Sequence, residues 1–338
     1  MEWSPRQYLI GFNMVPGIGG RRLLALEEHF GCLAAAWHAS RRALAEVRGI
    51  GPKIAEQFCA VRSKLSPIGE EEWAAKLGAK VITLYDADYP AFLRRLAVPP
   101  PVLYVQGVLP REPGIAVVGT RRPSRLGIAQ ARHFTEEIVL RSKAVISGLA
   151  RGIDFFAHQR ALELGGRTVA ILGSNIQAVY PAEHRELARR IAEQGAVVSE
   201  FSSRCPTVPG NFPRRNRIIA GLSSGVLVVQ AGARSGALRT ADWALELGLD
   251  VWSIPGEISD PLRAGNHALI KQGAQLVTSP VELFADQPRE APQARSSLEE
   301  LHAAGHHANE IAALLNMPIQ EVLIELSRLQ VKHGAGLG

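Results

Sequence analysis

The chain has 338 residues, 46% of them hydrophobic and 21% charged, with a formal net charge of +6. Such a length and apolar content predict two or three packed domains and exclude a disordered or fibrous chain. The positive excess permits an anionic partner such as nucleic acid. It is weak evidence alone, because only seven of the cations are lysines and codon bias also enriches arginine.

Residues 1–65 read as a helical domain of SAM or helix-hairpin-helix type. Two punctuations interrupt it, Val15-Pro16-Gly17-Ile18-Gly19 and Val47-Arg48-Gly49-Ile50-Gly51-Pro52-Lys53, spaced 32 residues apart like an internal repeat. Each resembles the hairpin of a helix-hairpin-helix unit, whose backbone N–H groups can meet a phosphate, with Lys53 adding charge. The competing reading is a protein-interaction module that keeps the hairpins for packing, and the lack of a lysine near the first hairpin favours it. Residues 66–112 are expected to be a connector. Its prolines Pro90, Pro99, Pro100 and Pro101 break helix, and Leu103-Tyr104-Val105 suggests an edge strand.

From 113 to 285 apolar strands alternate with amphipathic helices. The strands are placed at 115–118, 144–147, 168–172, 196–199, 225–229 and 250–254. Continuous apolar strands separated by helices predict a mostly parallel sheet covered on both faces, a Rossmann-like doubly wound domain with its ligand at the strand carboxyl ends. Residues 286–299 read as a polar linker. Residues 300–338 read as a shortened winged-helix-like domain, with a turn at Asn316-Met317-Pro318. Its groove-facing helix would carry Gln320, Glu321, Glu325 and Arg328, which is acidic for a major-groove reader and fits a partner-binding role as well.

Cys32, Cys59 and Cys205 lie far apart with no CxxC pair, so neither a zinc site nor a disulfide framework is expected. No stretch reads as a signal peptide or a membrane span, and the expected compartment is the cytoplasm.

Four anion-friendly segments follow the predicted strands. In the first, Gly119 lets the chain turn, Arg121 can reach an anion, Ser124 can cap the next helix and Gly127 follows within its first turn. It lacks the close glycine spacing of a dinucleotide loop. The second is Ser147-Gly148-Leu149-Ala150-Arg151-Gly152-Ile153-Asp154, with His158 four residues beyond Asp154 on one helical face. That pair reads either as acid and base or as a capping carboxylate beside a hydrogen-bonded histidine. The third, Phe212 to Arg217, sets an aromatic ring before Arg214, Arg215, Asn216 and Arg217 at a helix start. Arginine forks grip phosphates and a ring can stack on a base. The fourth runs from Gln230 to Ala241, with Ser235 and Gly236 opening a helix. Four such loops on one sheet edge exceed the needs of one small ligand and suggest a strip of phosphates. Arg121, Arg214, Arg215 and Arg217 are the expected grips. The 124, 147 and 235 loops are the expected backbone donors, and Gly148, Gly152 and Gly236 are expected to allow close approach.

These segments closely resemble the DNA processing protein A (DprA/Smf) family. The matching stretches are VVGTRRPSRLG at 117–127, SGLARGIDFFAH at 147–158, LGSNIQAVYP at 172–181, FPRRNRIIAGLS at 212–223, ARSGALRTA at 233–241, IPGE at 254–257 and GNHALIKQGAQLV at 265–277. The resemblance implies a single-stranded DNA-binding protein of natural transformation that protects incoming strands, helps load the RecA recombinase, acts as a homodimer and needs no nucleotide or metal. It also implies a phosphate contact for Arg121, a ring beside DNA for Phe212, and a dimer surface at His267, Ile270 and Leu276. Two positions depart from the family pattern. Pro209 stands where a cation is frequent, with Arg214 a possible replacement, and Gln230 stands where the strand usually ends in glutamate.

The alternative is a nucleotide-processing enzyme of the Rossmann-like phosphoribohydrolase type. The chain lacks that group's PGGxGTxxE segment, a GxxxxGK[ST] loop and an acidic cluster with metal-site spacing. A third reading, a regulator whose tail binds duplex DNA, rests on residues 296–338.

Overall fold

The computed structural model describes residues 3–284, 307–315, and 319, 320, 322, 323 and 326. The linker and most of the tail lie outside the described residues. The chain divides into two units, Met1–Ala285 and Asp286–Gly338.

In the first unit, α1 (Pro5–Asn13) starts from Ser4 in a reciprocal capping box with Gln7. The helices α2 (Gly20–Phe30), α3 (Leu33–His38), α4 (Arg41–Ala45) and α5 (Pro52–Val61) follow. Their centre is aromatic. Phe12 stacks on Phe58 at 5.2 Å, and Trp37 meets both rings edge-on. This core continues without a break through Val102 and Tyr104 into the main sheet, so the helical segment shares its hydrophobic interior with the α/β part instead of standing apart as a separate domain.

The expected connector is structured. It supplies α6 (Pro67–Lys76) and two strands, β1 (Ala79–Thr83) and β2 (Val102–Gly107). They pair antiparallel with each other, and β2 pairs antiparallel with β6 (Ala196–Ser199). The strand at Leu103-Tyr104-Val105 is therefore internal, and β1 forms the edge. The prolines punctuate a loop between two strands: Tyr89 donates its hydroxyl to Pro100 O at 2.9 Å, which folds that loop back on itself.

The other strands are β3 (Gly114–Val118), β4 (Val145–Ser147), β5 (Thr168–Ile171), β7 (Ser223–Val228), β8 (Asp250–Ser253) and β9 (Gln275–Leu276). The sheet order is β1-β2-β6-β5-β4-β3-β7-β8-β9, parallel from β6 to β9. Alternate residues feed opposite cores. Ala116 and Val118 face a cluster with Ile218, Ile219 and Ala241, while Ile115 and Val117 face Phe134, Ile138 and Ala157. Both faces being covered explains why these strands are apolar at every position. The covering helices include α7 (Arg125–Leu140), α8 (Ile153–Glu163), α9 (Arg185–Gln194), α10 (Asn211–Gly221), α11 (Ala237–Glu246) and α12 (Ala264–Lys271). Strand order reverses between β3 and β7, which places the switch-point crevice at their carboxyl ends.

In the second unit, α13 (Ala308–Leu315) and the described residues after it enclose a small cluster of Ile311, Val322 and Leu326. The expected turn at 316–318 and the wing fall outside the described residues.

Candidate nucleic-acid interface

The two switch-point strands are tied at their ends. Thr120 N donates to Gln230 O at 2.7 Å. The Gln230 side chain reaches across as well, and its Oε1 accepts from Ser124 N at 2.9 Å. Ser124 caps α7 as expected, its Oγ accepting from Gly127 N at 3.1 Å. The helix start is thus satisfied from inside. Gly127 leaves space for this glutamine, since a Cβ there would lie 2.3 Å from Gln230 Oε1. Gly119 is equally constrained, with Ile153 2.5 Å from its notional Cβ.

The second loop is built around Asp154. Its carboxylate accepts from Gly148 N at 3.1 Å and Ala150 N at 3.4 Å, closing the loop onto the start of α8. Burial raises the Asp154 pKa, while the Arg215 charge and the backbone donors pull it the other way. His158 does not pair with Asp154. Its Nδ1 lies 2.7 Å from Thr168 Oγ1, whose proton goes to Val145 O at 2.8 Å. Nδ1 is therefore the protonated nitrogen, and Nε2 is left buried without a partner among the described residues. Burial, with help from the Arg215 and His184 charges, pushes this imidazole down to about 3. An acid–base pair has no geometric basis here.

Two glycines expected to admit a ligand serve internal packing instead. A Cβ at Gly148 would lie 2.2 Å from the Arg215 guanidinium, and one at Gly152, which has φ +79°, would lie 2.3 Å from Thr120 O. The Ser147 hydroxyl is buried and donates to Val117 O at 2.7 Å. Arg151 is exposed but paired with Glu183 at 2.6 Å. Gly236, by contrast, opens to free space.

The arginines of α10 are distributed differently from the expectation. Arg215 is buried and donates to the carbonyls of Gly148 and Ile171. Burial lowers its pKa to about 10, with the Asp154 charge opposing. Arg217 is buried and paired with Glu200 at 2.6 Å. Arg214 is exposed, but its guanidinium sits 5.6 Å from the Phe201 ring centroid, beside the helical layer. Reading these three as a joint phosphate clamp is thus corrected: Arg215 and Arg217 are spent on carbonyls and a carboxylate. Asn216 braces the fourth loop, its Nδ2 donating to Gly236 O at 3.2 Å.

The four loops nevertheless converge on one open cleft of about 860 Å³. Its lining includes Arg121, Phe212, Asn216, Ser235 and Gly236 from the expected set. It also includes Tyr180, Arg234 and Arg239, to which sequence reasoning gave no role. Tyr180 packs against Phe212 with ring centroids 5.3 Å apart, making an aromatic pair at the rim. Arg121, Arg234 and Arg239 are exposed, and no ion pair engages them among the described residues. The signal for the last two was present in ARSGALRTA: both flank a helix start at a strand end, the position that already marked Arg121. Among the described residues no His, Cys, Asp or Glu group is arranged to hold a metal, and the cysteines are free thiols. No helix among them is long and apolar enough to cross a membrane.

His267, Ile270 and Leu276 lie at the far end of the sheet. His267 Nε2 is 3.1 Å from Gly256 O, Ile270 is half-buried, and Leu276 is exposed on β9, which among the described residues pairs with β8 and ends the sheet.

A switch-point crevice at the carboxyl ends of parallel strands, here rimmed by arginines without carboxylate partners among the described residues, is where doubly wound α/β proteins hold their ligands. The model of the DNA recombination-mediator protein A family matches residues 80–287. Protein Smf of Synechocystis sp. is 38% identical over 291 residues, covering 84% of this chain and 73% of that one. The X-ray structure of DNA processing protein A from Streptococcus pneumoniae superposes with a TM-score of 0.69 at 29% identity, covering 86% of this chain and 100% of that one. The Helicobacter pylori DNA processing protein A, whose structure describes a single-stranded DNA binding mode, gives a TM-score of 0.55 at 26% identity over 60% of this chain and 93% of that one. The chain belongs to the DNA recombination-mediator protein A family, the DprA/Smf proteins.

Proposed function

We propose that this protein binds single-stranded DNA along the switch-point cleft, shields it and passes it to a RecA-type recombinase, acting as a homodimer. The observation that carries the reading is the cleft itself. Arg121, Arg234 and Arg239 are exposed without carboxylate partners among the described residues, and the Phe212–Tyr180 pair borders them. Cations track a backbone of any sequence, and rings stack on any base. The single-stranded DNA binding described for the H. pylori relative supports the same ligand. Handover to a recombinase rests on the family alone, and its check is filament assembly by the recombinase on strands already covered by this protein.

The deciding test is a gel shift of single-stranded against duplex DNA, without added metal or ATP. Tighter single-strand binding is expected. Three phosphates neutralised by the three rim arginines would give a log–log salt slope of about −2, at about −0.7 per phosphate. A flat salt profile removes the phosphate mechanism. Release of base from a nucleoside monophosphate would restore the enzyme reading.

The dimer is proposed to form through the surface of α12 and β9, where exposed Leu276 adjoins the open sheet edge. Ile270→Glu places a charge on that surface and is expected to give monomers by light scattering. A variant that stays dimeric moves the interface elsewhere.

A further inference from the structure

The helical layer repeats one hairpin twice. Gly17 and Gly49 take φ +87° and +82°. Ile18 N donates to Val15 O at 3.1 Å and Ile50 N to Val47 O at 2.9 Å; Leu23 N donates to Gly19 O at 3.0 Å and Ala55 N to Gly51 O at 3.1 Å. Arg22 clasps the two turns together, its Nε donating to Gly49 O at 2.7 Å and its Nη1 to Gly17 O. The hairpin tips thus form one surface.

The charge on that surface is placed against local stability. Arg21 and Lys53 are the second residues of α2 and α5, where the helix dipole disfavours a cation by roughly 0.3–1 kcal/mol. Neither helix has a side-chain cap or an acidic residue in its first turn. Arg21, Arg48 and Lys53 are exposed, and no ion pair engages them among the described residues. Their neighbours Arg41 and Arg42 do find carboxylates, Glu56 at 3.8 Å and Glu46 at 3.9 Å. Cations held at positive helix ends without a counter-charge are relieved by an anion at the same place.

The hairpins also join the cleft wall. Asn13, at the end of α1, donates to Glu200 O at 3.2 Å. A Cβ on Gly19 would lie 3.2 Å from Arg214 Nη2. Arg214 belongs to α10, whose Phe212 and Asn216 line the cleft. Its exposed guanidinium is therefore a cationic step between the cleft and the first hairpin.

We infer that a DNA strand leaving the cleft runs over Arg214 onto the paired hairpins, whose Arg21, Arg48 and Lys53 bind its backbone phosphates. The inference rests on the proposed single-strand function of the cleft and assigns the helical layer a share of the same strand. The footprint on DNA is then longer than the cleft.

A ladder of oligothymidylates of increasing length tests this, using the full chain with Arg21→Glu, Arg48→Glu and Lys53→Glu combined. Acidic residues at the starts of α2 and α5 favour the helices, so the variant retains its fold. The shortest oligomers the protein binds should bind as before. Long oligomers should bind at least tenfold more weakly, and their salt slope should fall by about 2, at about 0.7 for each of the three lost phosphates. Arg21→Lys combined with Arg48→Lys, leaving Lys53 unchanged, should keep the long-strand affinity. Equal loss at every length or no loss at any length would each overturn the inference. Arg121→Ala separates this failure from that of the cleft: it should weaken all lengths, and a wild-type protein that binds no single strand would remove both readings.

Discussion

Two sets of arginines lie within one cleft region and do opposite work. Arg215 and Arg217, on α10, point into the protein and end on Gly148 O, Ile171 O and Glu200. Arg121 and Arg234, on strand-end loops, and Arg239, in the first turn of α11, are exposed and engage no carboxylate among the described residues. A guanidinium satisfied by fixed carbonyls and a carboxylate organises structure. One held at the rim without a partner is available to a ligand. The α10 arginines thus shape the wall that carries Phe212 and Asn216, and the loop arginines supply the free charge.

The largest expected effect comes from breaking the inner set. Arg217→Ala leaves Glu200 buried and uncompensated, and removing one partner of a buried ion pair costs about 3–5 kcal/mol. Urea unfolding should show that loss as a lower midpoint with an unchanged slope. Arg217→Met with Glu200→Gln, which removes both charges, should recover a good part of it. If Arg217→Ala instead leaves stability intact and lowers only DNA affinity, the division between the two sets collapses.

The division was only partly legible in the sequence. The parallel strands were, because burial on both faces makes them apolar at every residue; IAVV at 115–118 has no other simple reading. The edge strand β1 was not, because AKVIT is short and interrupted by the exposed Lys80; β2 was legible as a strand at 103–105, but its internal place was not, because that depends on pairing with β1 and β6. The four loops were legible for the same reason as the strands they follow. The direction of each arginine was not. Arg215 turns inward because Gly148, from another strand end, leaves room for it, and Arg217 because Glu200 waits at the end of β6. Both facts depend on tertiary neighbours that spacing along α10 cannot report.

The second prediction sharpens the inner set through its neighbour. His158 has a folded pKa lowered to about 3 from 6.5, so between these values the unfolded chain binds a proton that the native chain refuses. Stability is therefore fully present above about pH 6.5 and falls as pH drops toward 3, at about 1.4 kcal/mol per pH unit from this group. His158→Asn should flatten that part of the stability profile relative to wild type. Equal slopes below pH 6 in both proteins would mean that the imidazole takes up its proton in the folded state, and that the Arg215 charge is better screened than its burial implies.

The smallest effect falls on the outer set, and it should fall on binding alone. Arg121 is exposed and engages no carboxylate among the described residues, so Arg121→Ala removes no internal contact and should leave thermal stability within about 0.5 kcal/mol of wild type. Loss of one charge-assisted phosphate contact should cost about 1.5–3 kcal/mol, or roughly tenfold to a hundredfold in affinity for single strands. Lysine at the same position should recover only part of this, because it keeps the charge but not the two-pronged geometry. Arg234→Ala and Arg239→Ala should behave alike if all three arginines face one backbone. Unequal losses would order them along the strand, the largest marking where a phosphate sits deepest in the cleft. A destabilised Arg121→Ala protein would place this arginine with the inner set, and the cleft would then owe its free charge to Arg234 and Arg239.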